Sequence, residues 1–288
     1  MIDIHHHLLY GVDDGSPNLE TSLAMAQESA ANGVTHIVCT PHACDSFPYD
    51  APLIESRYEE LRDRLHGQMK LSLACDFRMN MNNVMDAAEN PLRYSIDGKG
   101  YLLIEFSNTS IPPQIKDSLL LLQSTGYRLI VTHPERYPAV LGNPEMLADW
   151  LRMGCLVQVT SGSLYGRFGR MAEAFSNELL KRNWVHFIGS DAHNMTGRPP
   201  HLKKGYDYVA KHAGVETARR LCEKNPRAAV DGASWPAQPE PDGLWDYEPM
   251  KFKATKFTGP RRISADENSE DELPSEGQRG FFRTLFGR

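Results

Sequence analysis

The chain has 288 residues, of which 41% are hydrophobic and 24% are charged, as is typical of a folded globular protein. Its formal net charge of -6 at pH 7 argues against nonspecific binding to nucleic acid, which requires a basic surface. We expect neither a secretory leader nor a membrane span, and the 5 cysteines lack paired spacing, which favours free thiols in the cytoplasm.

Apolar segments that predict strands alternate with amphipathic segments that predict helices. The predicted strands cover residues 2–7, 34–40, 70–77, 100–106, 128–133, 155–160 and 185–190. The predicted helices cover residues 19–32, 51–67, 113–125, 144–153, 169–182, 203–213 and 215–224. Each strand is followed by a crossover long enough for a helix, so the pattern predicts a parallel α/β sheet buried on both faces.

The composition changes after residue 230. Prolines and glycines cluster at 232–243, and an acidic run extends from Asp266 to Glu276. We therefore divide the chain into a barrel domain, residues 1–230, and a low-complexity acidic tail, residues 231–288, which we expect to be disordered. The apolar stretch Phe281–Phe286 is either a frayed end or a short docking segment.

Histidines or carboxylates stand at the ends of most of the predicted strands. His5 and His7 are two residues apart, so both face one side of the first strand, and Asp191 and His193 repeat this spacing. Glu105 lies in an otherwise apolar strand, where a carboxylate is costly unless it is paired or metal-bound. The candidate metal ligands are His5, His7, His42, Asp76, Glu105, His133, Asp191 and His193. A closed (β/α) barrel fits this set better than an open sheet does, because the strand ends must converge.

This set of side chains predicts a multinuclear metal site. A zinc ion with one open position uses three protein ligands, so the candidates are enough for two or three ions with a bridging carboxylate. Imidazole and carboxylate ligands without thiolate suit Mn, Fe, Zn or Co, and Mg remains possible. Such clusters activate a bound water and stabilise an oxyanion. Cys44 follows a candidate ligand, but its surroundings lack the loop of thiol-based phosphatases, so we expect no cysteine nucleophile.

Two arginines beside the predicted ligands indicate phosphate chemistry. Arg136 lies three residues after His133, and Arg198 lies five residues after His193. A guanidinium group matches the spacing of phosphate oxygens. Pairing with Glu135 or with surface acids is the alternative for either arginine alone, but it explains the two together less well. We predict that both act in catalysis by contacting a phosphoryl group.

These motifs resemble the PHP (polymerase and histidinol phosphatase) superfamily, above all its branch of manganese-dependent tyrosine-protein phosphatases from bacterial capsule and exopolysaccharide synthesis. The resemblance covers residues 1 to about 225 and is carried by Met1–His5 with His7, Gly11–Gly15, Thr40–His42, Leu103–Phe106, His133–Tyr137, Gln158 with Gly162–Leu164 and Gly166, and Ser190–Asn194. It implies a distorted (β/α)7 barrel of the PHP type that holds three metal ions, with the ligands and arginines at the positions already named. The family usually has Gly-x-Glu where this chain has Ala74-Cys75-Asp76, whose side chain is one methylene shorter, so either Asp76 still reaches its ion or that ion binds more weakly.

The resemblance also implies the activity. It implies a cytoplasmic, manganese-dependent hydrolase of phosphate monoesters that acts on phosphotyrosine in the tail of a bacterial tyrosine kinase controlling capsule or exopolysaccharide synthesis. Two alternatives remain. One is a PHP-type phosphatase of a small molecule such as histidinol phosphate, and the other is a catalytically silent PHP scaffold that acts through its tail.

Overall fold

In a computed structural model, which describes residues 1–112 and 114–253, nine parallel strands form the centre of the protein. The strands are β1 (Ile2–His6), β2 (His36–Cys39), β3 (His42–Ala43), β4 (Lys70–Leu73), β5 (Asp76–Arg78), β6 (Tyr101–Glu105), β7 (Arg128–Thr132), β8 (Leu156–Thr160) and β9 (Phe187–Gly189). They form two sheets, with the orders β1-β2-β4 and β3-β5-β6-β7-β8-β9, and all neighbours are parallel.

Helices follow most of the strands and cover the outer face. The α-helices are α1 (Leu19–Ala31), α2 (Ala51–Arg64), α3 (Met81–Glu89), α4 (Ile115–Ser124), α5 (Pro138–Gly142), α6 (Glu145–Arg152), α7 (Arg170–Lys181), α8 (Leu202–Ala213), α9 (Val215–Arg219) and α10 (Asn225–Asp231). Short 3-10 helices span Ile96–Gly98, Pro134–Arg136 and Ser161–Tyr165, and a π-helical turn spans Arg220–Lys224.

The nine strands occupy seven positions, as the sequence predicts for a distorted (β/α)7 barrel. β2 leads directly into β3 and β4 leads into β5, and the interruption falls at Pro41, which has no N–H to donate to a ladder. Hydrogen bonds from Ala74 N to Cys39 O and from Asp76 N to Pro41 O continue the pairing across the break. The first and last positions are joined where Asp191 N donates to His5 O, at 2.9 Å. The predicted α/β fold class is therefore confirmed, with a ring distorted at its second and third positions.

Below the strand ends, buried apolar side chains pack on the face of the sheet that carries Glu105. Leu103 lies two residues before Glu105 and so shares its face of β6, and Ile130 has the same relation to Thr132 on β7. Both belong to a buried cluster that also includes Phe187 of β9. A larger cluster packs the outer face of the strands against the helices.

The described part of the segment after residue 231 packs on the barrel. Trp235 lies against the cluster of Leu103 and Ile130, with its ring centroid 6.0 Å from Tyr101 and 5.5 Å from Phe187, the first residues of β6 and β9. Leu244 is buried. This packing extends past the predicted boundary at residue 230, although we expected disorder from residue 231. The acidic run and Phe281–Phe286 lie outside the described residues.

Two smaller features concern the helices and the cysteines. Within the described ranges, no helix is both long and apolar enough to cross a membrane. The cysteines are all free thiols, and only Cys44 is not fully buried.

Candidate metal centre

All eight predicted ligands converge at one rim, the carboxyl ends of the strands. Three of these side chains lie on strands that end at the rim, at His42 on β3, Asp76 on β5 and Glu105 on β6. The others come from β1 and from the turns that directly follow β1, β7 and β9. Parallel strands bring their carboxyl ends to the same edge, so residues far apart in sequence meet there.

Three groups of donor atoms at this rim are close enough to hold an ion, with all ligand atoms of a group within 4.8 Å of one another. The groups are His7, Asp14, His42 and His193; His5, His7 and Asp76; and His42, Asp76 and Glu105. His7, His42 and Asp76 each belong to two groups. Shared donors of this kind are what neighbouring ions in a multinuclear site require.

Two predicted ligands border these groups rather than belonging to them. Asp191 Oδ1 lies 3.4 Å from His5 Nε2 and 3.6 Å from His7 Nε2. His133 Nε2 lies 3.9 Å from Asp76 Oδ2. Both residues have positive φ angles, 53° for Asp191 and 35° for His133, a left-handed conformation that is strained for residues other than glycine. Strain of this kind at two rim positions is common in functional sites.

Asp14 is a further candidate ligand that our ligand set from sequence does not include. Its Oδ1 lies 3.3 Å from His42 Nε2 and 3.4 Å from His193 Nε2, and its side chain is 42% exposed. The signal in the sequence was its place in Gly11–Gly15, the loop directly after the first His-rich strand. A polar loop residue has no periodicity to mark it, so only the fold shows that it faces His42.

Asp76 reaches the centre of the site despite its short side chain. Its Oδ2 lies 3.3 Å from His5 Nε2 and 3.5 Å from His42 Nδ1, between two of the donor groups. Thr132 Oγ1 donates to the other oxygen at 3.4 Å. The carboxylate is thus placed to serve both groups.

Two side chains behind the histidines fix the orientation of the rings. His5 Nδ1 lies 2.8 Å from Gln158 Oε1, and His7 Nδ1 lies 2.8 Å from Asp13 Oδ2. Each contact holds the proton on Nδ1 and leaves Nε2 free to face the other donors. Such partners behind metal-ligating histidines set the tautomer and strengthen the ligand.

Several buried nitrogen and oxygen atoms of the candidate metal ligands have no hydrogen-bond partner among the described residues. They are His42 Nδ1, Asp76 Oδ2, His133 Nδ1, Asp191 Oδ1 and His193 Nε2. Buried polar atoms in folded proteins nearly always have a partner. Asp76 Oδ2 and His42 Nδ1, which lie 3.5 Å apart, are both among these atoms, and a divalent cation between them would satisfy both.

The charges at the rim shift one another's pKa. Burial opposes the charged form of His5, but the Asp76 and Asp191 carboxylates outweigh it and raise the pKa of His5 to about 9. Burial, together with the Arg198 charge, lowers the pKa of His193 to about 3, so that this ring is neutral at pH 7. Burial also opposes the charge on Asp191, but Arg198 and His5 hold its pKa well below the usual range. Asp191 is thus an anion inside the site.

Both predicted catalytic arginines pair with one oxygen of Asp191. Arg136 Nη1 and Arg198 Nη2 each lie 2.5 Å from Asp191 Oδ2. This is a contact within the site, not the alternative pairing of either arginine with Glu135 or with a surface acid. A third arginine at the rim, Arg78, was not singled out from the sequence, and its Nε donates to Glu105 Oε1 at 3.0 Å.

Comparison with known proteins gives consistent matches over the whole barrel. The family described as "Capsular polysaccharide synthesis, CpsB/CapC" matches residues 1–231. The tyrosine-protein phosphatase YwqE of Bacillus subtilis is 32% identical over 77% of this chain and 89% of its own length. The tyrosine-protein phosphatase CpsB of Streptococcus pneumoniae is 30% identical over 80% of this chain and 98% of its own length.

A solved structure has the same fold. It comes from work on YwqE of Bacillus subtilis and CpsB of Streptococcus pneumoniae, described as unique metal-dependent tyrosine phosphatases. It superposes with a TM-score of 0.78 at 30% identity, over 84% of this chain and 98% of that one.

Proposed function

The chain belongs to the CpsB/CapC family, and from that premise we propose that it is a metal-dependent phosphatase that hydrolyses phosphotyrosine in a protein substrate. The relatives with this fold are tyrosine-protein phosphatases, and one pair of them is described as metal-dependent. The observation that carries the proposal is the rim itself, where three donor groups lie directly beside two guanidinium groups on Asp191.

The side chains that would hold the metal ions are the eight predicted ligands together with Asp14. His5, His7 and Asp76 would hold one ion. His42 and Glu105 would hold a second ion together with the same Asp76. Asp14, His42 and His193 would serve a third ion with His7. When bound, ions in such a site lower the pKa of a coordinated water and offset the charge of phosphoryl oxygens.

The arginines would bind the substrate. Arg136 and Arg198 would direct their remaining N–H groups at the oxygens of the phosphoryl group while Asp191 holds them in place. Charge-assisted contacts to such oxygens strengthen as charge redistributes in the transition state. A tyrosyl leaving group has a pKa of about 10, so it departs with less protonation than an alkyl alcohol needs. The chain's own residues therefore have to position, rather than protonate, the leaving group.

Metal identity, partner and location are finer parts of the same proposal. We infer Mn²⁺ as the working ion, although imidazole and carboxylate donors also accept Fe, Zn, Co or Mg. The protein partner would be a bacterial tyrosine kinase with a phosphorylated tail. Its encounter with the phosphatase would take place in the cytoplasm, which is compatible with the free cysteines.

The test is a side-by-side assay of the full chain, supplied with Mn²⁺, on a phosphotyrosine peptide, the matching phosphoserine peptide and histidinol phosphate. We expect the highest kcat/KM on the phosphotyrosine peptide. A preference for histidinol phosphate would support the small-molecule alternative. Metal binding without turnover of any of the three would support the silent scaffold.

A further inference from the structure

Glu135 is a buried carboxylate that stands between His133 and Arg136 but belongs to none of the three donor groups. Its Oε1 accepts hydrogen bonds from Thr160 N at 3.0 Å and from Ser163 Oγ at 2.6 Å. Both donors belong to a different part of the rim, the end of β8 and the 3-10 helix Ser161–Tyr165 that follows it. Glu135 therefore joins two neighbouring turns at the strand ends.

The turn that carries Glu135 needs such support. His133 precedes the 3-10 helix Pro134–Arg136 with φ 35° and ψ 52°, a left-handed conformation that costs a residue with a side chain on the order of 1 kcal/mol or more. The hydrogen bond from His133 N to Gln158 O, at 2.8 Å, holds the start of the turn to β8. The Glu135 contacts hold its middle to the same strand end.

Arg136 is the side chain whose position depends on both turns. On one side its guanidinium contacts Asp191 Oδ2, and on the other it lies over the ring of Phe168, with Cζ 4.7 Å from the ring centroid. Phe168 follows the 3-10 helix that Glu135 binds, and it packs so closely on Gly162 that a Cβ there would lie 3.0 Å from the ring. Glu135 thus connects the backbone of Arg136 to the loop that supplies the aromatic face beneath its guanidinium.

We propose that Glu135 is a positioning residue, which holds the Arg136 guanidinium beside Asp191 by tying the Pro134–Arg136 turn to the Ser161–Tyr165 helix. The consequence for phosphate handling rests on the proposed function, but the positioning does not. Glu135 does not contact the substrate in this proposal, and its effect passes through Arg136.

A double-mutant cycle in the full-length, Mn²⁺-loaded protein tests this path. Glu135→Ala should lower kcat/KM on the phosphotyrosine peptide by about tenfold or more with metal content unchanged, and should add less than about twofold in an Arg136→Ala background. Glu135→Gln keeps an oxygen that can accept from Thr160 N and Ser163 Oγ, so it should retain most of the activity. Ser163→Ala removes one of the two donors and should fall between the two variants, and it remains informative if Glu135→Ala does not fold.

Additive losses on the logarithmic scale in the cycle would overturn the proposal, because they would mean that Glu135 acts independently of Arg136. Loss of metal from Glu135→Ala at normal folding would overturn it too. Glu178→Ala is the matched control, since it removes a carboxylate of α7 that pairs with Arg182, outside the rim. It should match the wild type.

A second readout separates this proposal from the proposed function. The side-chain Nε–Hε signal of Arg136, assigned with Arg136→Lys, can be followed by NMR in the diamagnetic Zn²⁺-loaded protein. We expect a dispersed signal in the wild type and in Glu135→Gln, and a shifted, averaged one in Glu135→Ala. If no substrate is turned over, the proposed function fails while this signal still reports the position of Arg136. An Arg136 signal that is unchanged in Glu135→Ala would refute the positioning role.

Discussion

Asp13 Oδ2 lies 2.8 Å from His7 Nδ1 and 3.0 Å from the backbone N of His42, so one buried carboxylate holds two candidate ligands from different strands. Removal of the Asp13 carboxylate should leave the positions of both His7 and His42 less well fixed. We expect Asp13→Ala to weaken Mn²⁺ binding by about 10–100-fold, the usual effect of losing a partner behind a ligating histidine. Titration calorimetry would measure the affinity, with the exposed Asp63→Ala as control. Equal affinities in Asp13→Ala and the wild type would show that His7 does not need this partner.

Metal removal should abolish activity and lower the melting temperature together. If free Mn²⁺ stands about 100-fold above its Kd, its binding stabilises the folded state by about 2.7 kcal/mol, which corresponds to about 5–10 °C for a domain of this size. Excess chelator should cause both losses, and added Mn²⁺ should restore the activity and the melting temperature. Cys44→Ser should behave as the wild type throughout. Full activity in excess chelator, or loss of activity in Cys44→Ser, would contradict hydrolysis without a thiol nucleophile.

The contribution of Asp76 to metal binding and turnover should depend more on the charge of its side chain than on its length. Its Oδ2 already lies within 3.3–3.5 Å of donors in two groups, so the short side chain reaches both of them. Asp76→Asn removes the charge shared between those groups, and we expect it to lower both the metal stoichiometry and kcat, the latter by orders of magnitude. Asp76→Glu must fit one more methylene into a buried site, and we expect a loss of less than about tenfold. Metal analysis after dialysis gives the stoichiometry. A larger loss in Asp76→Glu than in Asp76→Asn would mean that geometry dominates.

Arg198 should contribute to binding of the phosphoryl group and not to binding of the metal ions. In Arg198→Ala, Asp191 still has Arg136 as a partner, so metal content should stay near that of the wild type. We expect kcat/KM to fall about 10²–10³-fold, as it does when one donor to a developing oxyanion is removed. Arg93→Ala, which removes an exposed arginine paired with Asp86, is the control. If Arg198→Ala loses metal in proportion to activity, the role of Arg198 is to hold Asp191 instead.

The fold could be predicted from the sequence because apolar strands and amphipathic helices alternate with clear periods. The helix α3 could not, since it is short, with 9 residues, and buries only Val84 and Ala87. It starts where the Asn80 side chain caps Asn83 N, a local contact that periodicity does not reveal. Nor could the break between β2 and β3 be placed, since the predicted strand 34–40 covers β2 and ends before β3 begins.

The meeting of the candidate ligands at one rim could be predicted where a candidate stands on or directly after a strand. His5, His42 and Glu105 are of this kind, because burial makes an ionisable side chain conspicuous in an apolar run. Asp14 lies in a polar loop, where a carboxylate is ordinary. The pairing of Arg136 and Arg198 with a single oxygen of Asp191 also needed the fold, since no spacing in the chain encodes contacts between different turns.

The packing of the described residues after 231 also could not be predicted from the sequence. Trp235 is half-buried against Tyr101 and Phe187 at the amino ends of their strands, yet its sequence surroundings are rich in proline and glycine and predict no structure. Backbone groups of the segment also bind the barrel. Trp184 Nε1 donates to Asp242 O and Arg152 Nε donates to Leu244 O, both at 3.0 Å.

Trp235→Ala should therefore destabilise the barrel while sparing its chemistry. Burial of a partly exposed aromatic ring is worth less than that of a core one, so we expect a loss of about 2 kcal/mol in the free energy of unfolding. Urea denaturation would measure it, and kcat/KM at 25 °C should stay within about twofold of the wild type, since every candidate catalytic residue lies at the opposite ends of the strands. Trp245→Ala is the matched control, because that side chain is 56% exposed and should cost little. If the two tryptophan variants are equally stable, residues 232–253 do not support the barrel and the domain ends near residue 230 after all.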